Sequence, residues 1–103
     1  MSIVCIRNGN LYVDSELYKK FFPGIETIAL LKRAPGFLVM PIHSQASGGR
    51  LLKMRNATGD RVVTATDFLQ EFGLSDEQEQ KFEATWDSSA AALYVDVTKP
   101  HDG

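Results

Sequence analysis

The residues of this chain with the most evident chemistry are His43, Ser47, Arg50, Lys53, Arg55 and Arg61. His43 and Ser47 stand in a polar, glycine-ended stretch, and Ser47-Gly48-Gly49-Arg50 has the composition of an anion nest: backbone amides freed by glycine, with an arginine beside them. Phosphate loops of known mechanism lead into a helix start. The run after Arg50 reads as a strand, so a glycine pair that only turns the chain is the simpler reading of this loop. Lys53 and Arg55 alternate along that strand and project from one face, and Arg61 lies on the strand that returns. Together with Arg50 they form a basic hairpin suited to an acidic protein surface or an anionic ligand. A weak, salt-sensitive hold on nucleic-acid phosphates is the lesser possibility. Residues 50–61 contain none of the aromatics that base stacking uses.

Other chemistries find less support. A metal site would show ligands at short, regular spacing. Here Cys5, His43 and His101 are far apart in sequence, and no cofactor is expected. Nucleophilic catalysis needs a thiol or hydroxyl held against a base and an orienting acid. Cys5 sits in a β-rich run in which Ile3 and Cys5 share one face and Val4 and Ile6 the other, so it reads as a structural residue. There is no Gly-x-Ser-x-Gly elbow. The balance points away from an enzyme and toward a binding or assembly module.

Charge is unevenly divided. Residues 1–61 hold nine Lys/Arg against four Asp/Glu, a balance of +5, and residues 62–103 hold two against nine, a balance of −7. Such a chain can pair its halves internally, associate with itself, or offer its basic face to an acidic partner. A pI of 5.6 argues against a dedicated nucleic-acid binder. No apolar run approaches the roughly 18–20 residues that span a bilayer. The first residues lack a basic segment ahead of a long apolar one, and the single cysteine cannot form an internal disulfide. The expectation is a cytoplasmic protein.

The elements that must position these residues follow from local signals. Asn8-Gly9 between two β-prone runs predicts a hairpin, 3–7 with 10–13, because both turn residues need positive φ. Asp14 or Ser15 caps a short helix carrying Leu17, Tyr18, Phe21 and Phe22, stopped by Pro23-Gly24. Strands are predicted over 27–32 and 37–42, joined by Ala34-Pro35-Gly36 with glycine at positive φ. A third hairpin joins 51–56 to 61–65. A second short helix opens at Thr66 and ends at Gly73. Ser75 with Gln78 makes a capping box for a third, acidic helix over 76–84, pinned by Phe82 and Trp86 as a lid over a sheet edge. A last strand over 93–97 precedes a flexible tail, 98–103. This is one α+β domain over 1–97, with an antiparallel, partly curled sheet of six or seven strands and two or three short helices. Its expected core is Leu17, Phe21, Ile28, Leu30, Leu38, Met40, Leu52, Met54, Val63, Phe68, Leu69, Phe72, Trp86 and Val95.

The segment from Gly9 through Phe21, followed by Leu30-Leu31 and Phe37-Leu38-Val39-Met40-Pro41, resembles in order the swapped-hairpin unit of AbrB- and MraZ-type transcription factors. That resemblance implies a dimer of interlaced hairpins over 3–42 that binds DNA through a basic N-terminal region. Arg7 is the only cation this chain has there, and no DNA-contact residue carries over.

Overall fold

The computed structural model describes residues 2–43, 49–74 and 77–101. The strands are β1 (Ser2–Arg7), β2 (Asn10–Val13), β3 (Thr27–Arg33), β4 (Gly36–Ile42), β5 (Arg50–Leu51), β6 (Lys53–Met54), β7 (Arg61–Thr64), β8 (Gln80–Asp87) and β9 (Ala92–Pro100). Two helices, α1 (Ser15–Phe21) and α2 (Thr66–Gln70), follow β2 and β7. The strands form one antiparallel sheet in the order β5-β3-β4-β9-β8-β1-β2-β7-β6. Its two ends, β5 and β6, are separated in sequence by Leu52 alone, so the sheet curls into a nearly closed barrel. Leu52 is buried at this seam, and its N–H donates to Glu26 O at 2.8 Å.

Alternation along the strands builds the interior. Val4 and Ile6 of β1, Leu11 and Val13 of β2, and Val63 of β7 point inward, and all are essentially inaccessible. Asn8 and Gly9 both have positive φ, as the two-residue turn between β1 and β2 demands. Gly9 is needed for a second reason: a Cβ there would collide with the backbone and side chain of Thr66. Asp14 caps α1, its Oδ1 accepting from Leu17 N at 2.8 Å. α1 sends Leu17 into the core and Phe22 follows from the residue after the helix, while Phe21 stacks in parallel on Trp86 with ring centroids 5.0 Å apart. α2 packs Phe68 edge-on against Phe37, with Phe72 beside both. Among the described residues every buried side chain is apolar, so the polar chemistry lies on the outside.

Several expectations require correction. Among the described residues the sheet has nine strands rather than six or seven, and there are two short helices, within the two or three expected. The region expected as an acidic lid helix over 76–84 is β8, a central strand paired with β1 on one side and β9 on the other; Ser75 and Asp76 lie outside the described residues. The Phe82–Trp86 spacing of four fits a helix face and also one face of a strand. Ala84 between them decides, because Phe82 and Ala84 are both buried, a period of two. The strand expected over 51–56 is two short ladders hinged at Leu52. Met54, expected in the core, is 63% exposed because the sheet ends beside it. Gly36 is a strand residue paired with Arg33, not a positive-φ turn residue. A Cβ at Gly36 would overlap Val95 O, so glycine there permits β4 and β9 to approach. The Ala34–Pro35 bond is cis. The end of the chain differs too: Thr98, Lys99 and Pro100 continue β9, and His101 N donates to Lys81 O at 2.7 Å. No helix among the described residues is long and apolar enough to cross a membrane.

Candidate functional site

The barrel brings part of the basic hairpin onto the outer face of β1 and β2. Cys5 pairs with Tyr12, Tyr12 with Val62, and Val62 with Lys53, so one row of outward side chains crosses β1, β2, β7 and β6. Arg55 lies two residues beyond Lys53, with its guanidinium 4.7 Å from the Tyr12 ring centroid. Arg7 approaches the same ring at 5.6 Å. Asn10, the cross-strand partner of Arg7, donates from Nδ2 to the Tyr12 hydroxyl at 3.4 Å. Burial tends to raise the Tyr12 pKa, but polar contacts from Arg7 and Asn10 outweigh it and hold the phenol below its ordinary value. The result is an arginine–tyrosine–arginine cluster along a cleft of about 170 Å³, lined also by Cys5, Asp14, Asp60, Arg61 and Glu79. That volume lies below the roughly 300 Å³ of typical small-molecule pockets. It suits one anionic group or one inserted side chain.

The cleft wall is built stiffly. Arg55 N donates to Asp60 O at 2.8 Å, closing the turn between β6 and β7. Asn56 Oδ1 accepts from Asp60 N, and Asn56 Nδ2 donates to Asp60 Oδ2 at 2.9 Å. Asp60 Oδ1 accepts from Ser15 N at 2.8 Å, fastening the turn to the start of α1. Asn56 first and then Ser15 hold the Asp60 carboxyl below the usual range. The carboxylates of Asp60 and Asp14 are thus occupied with backbone and amide donors. Arg61 is occupied as well: it lies 3.9 Å over the Tyr18 ring and donates to Gly59 O at 2.7 Å.

Arg50 parts company with the cluster. Its two terminal nitrogens each meet one oxygen of Asp67 at 3.1 Å, a bidentate pair, and the Arg50 hydrogen bond lowers the Asp67 pKa. Lys32 pairs with Glu71, and Arg33 with Asp87. Each of these three pairs joins a cation from the basic half of the sequence to an acid from the acidic half, so the halves meet within one chain. None of the three uses Arg7, Lys53, Arg55 or Arg61.

His43 is exposed just beyond β4. Ser47 lies outside the described residues, as does Gly48 of the run Ser47-Gly48-Gly49-Arg50 read as an anion nest. Cys5, read from sequence as a structural residue, faces outward and is half-buried in the cleft wall. Burial, then Glu79, pushes its thiol pKa up against the opposing effect of Lys81, so the thiol stays protonated at neutral pH. Among the described residues no three His, Cys, Asp or Glu side chains gather as a metal site would require. Tyr12 is the cluster member that sequence reasoning missed, and Arg7 was noted there only as the cation of the first hairpin. The hairpin register at Asn8-Gly9 makes them diagonal neighbours on the outer face, but their meeting with Arg55 depends on β7 pairing with β2. No family model, curated protein or solved structure matches this chain.

Proposed function

We propose that this chain is a non-enzymatic binding module that captures an acidic protein segment on the face formed by Arg7, Tyr12, Lys53 and Arg55. One observation carries this reading: Lys32, Arg33 and Arg50 are matched to acids within the chain, while Arg7, Lys53 and Arg55 enter no ion pair among the described residues. Charge left unneutralised on a stiff surface speeds encounter with an acidic partner and disfavours basic ones. Stiffness also lowers the ordering cost of binding.

The test reverses Lys53→Glu and Arg55→Glu together and measures retention of an immobilised Asp/Glu-rich peptide. The native chain should retain it at about 50 mM salt and release it as salt rises. The double variant should lose it with an almost unchanged melting midpoint, because exposed side chains outside ion pairs contribute within about 0.5 kcal/mol. A collapse of stability would make the two cations structural and end the reading. A DNA-binding regulator built on residues 3–42 is the second reading, favoured by the placement of Arg7 and Tyr12 together on one face of that segment. Duplex DNA held at low salt and shed steeply as salt rises would support it.

A further inference from the structure

We infer that the group this face is built to hold is a phosphomonoester borne on the acidic segment, seated between Arg7, the Tyr12 hydroxyl and Arg55. This inference rests on the binding reading above and names its ligand. The argument counts oxygens against donors. Arg7 and Arg55 each lie against the Tyr12 ring, 5.6 Å and 4.7 Å from its centroid, and both line the same small cleft. Asn10 donates from Nδ2 to the Tyr12 oxygen at 3.4 Å. With a lone pair engaged there, the phenol has its own proton to donate outward. Three donor groups therefore line one cleft: two forks and a hydroxyl.

A carboxylate has two oxygens, and one bidentate arginine satisfies both, which would leave the second arginine and the hydroxyl unused. A nucleic-acid phosphodiester likewise exposes two unbridged oxygens and one charge. A phosphomonoester offers three equivalent oxygens and a charge of about −1.5 to −2 at neutral pH, matching both guanidinium charges. Asp14, Asp60 and Glu79 also line the cleft and keep their charge, but among the described residues none of them forms an ion pair with Arg7 or Arg55. Asp60 and Asp14 direct oxygens to internal donors, and Glu79 is exposed.

The experiment uses the full chain and two otherwise identical acidic peptides, one with a single phosphoserine and one with glutamate in its place. Calorimetric titration should show the phosphopeptide binding about tenfold tighter, the scale of one additional hydrogen bond to a charged group. Arg7→Gln and Tyr12→Phe should each weaken the phosphopeptide more than the glutamate peptide and so bring the two affinities together, with melting curves confirming that both variants are folded. Glu79→Gln should tighten the phosphopeptide. Equal binding of the two peptides would overturn this inference and leave the acidic-segment reading standing. Failure of both peptides to bind would overturn both. A single-stranded oligonucleotide that outcompetes the phosphopeptide would overturn the inference in favour of a diester ligand.

Discussion

Adjacent residues of one type take opposite roles here. Phe22 is fully buried, while its neighbour Phe21 lies half-exposed, stacked on Trp86. Phe22→Ala should therefore cost about 3–5 kcal/mol in urea unfolding. Phe21→Ala, losing a ring stack and partial burial, should cost about 1–2 kcal/mol. Equal costs would mean that α1 is rotated from the orientation described. Gly36 is a buried strand residue that tolerates no side chain, because a methyl group there meets the carbonyl of Val95. Gly36→Ala should lower the melting midpoint far more than an ordinary strand substitution, since backbone cannot yield as a flexible side chain does. Tyr12 was hard to recognise as a candidate from sequence for a matching reason. A single tyrosine in a strand reads as ordinary β-sheet filling, and only the cations brought to it by other strands place it in the candidate site.

At the scale of elements, the barrel depends on the short bent run 50–54, which supplies both ends of the sheet. Its ladders are two residues each, so Leu52 carries much of the closure. Leu52→Ala should cost about 2–5 kcal/mol and raise amide hydrogen exchange first at β5 and β6; protection that fell uniformly would place the weak point elsewhere. The three ion pairs tie neighbouring elements but are exposed, so solvent and salt screen them. Their pH signature is clearer than their size. Arg50 beside Asp67 and Arg33 beside Asp87 hold both carboxyls below the unfolded value of about 3.9. Their contribution is complete above that value and disappears as pH falls through the lower folded values. In low salt the melting midpoint should fall as pH drops from about 4 toward 2, and Asp67→Asn should remove part of that fall. A flat profile would show that the pairs are not populated in solution.

At the scale of the molecule, β1 to β4 find their partners β8, β7, β9 and β5 within one chain. Light scattering should therefore give the mass of one chain, 11.4 kDa, at both low and high salt. A dimer at both would favour exchanged hairpins, and a dimer only at low salt would place unpaired charge at a self-interface. What could be read from the sequence was local: the Asn8-Gly9 turn, the Asp14 cap, the stop at Gly73, the strands of the first half, and cations alternating along one basic hairpin. Each depends on φ preference, a capping hydrogen bond or side-chain alternation, which a few neighbouring residues determine. Three things were decided only by tertiary structure. Residues 80–87 became a central strand because β1 and β9 offered backbone on both sides of it. Arg50 was claimed by Asp67 while Arg55 reached Tyr12. The sheet closed on itself at Leu52. These outcomes depend on which distant strands become neighbours, and that is settled by burying the shared core rather than by any local run of residues.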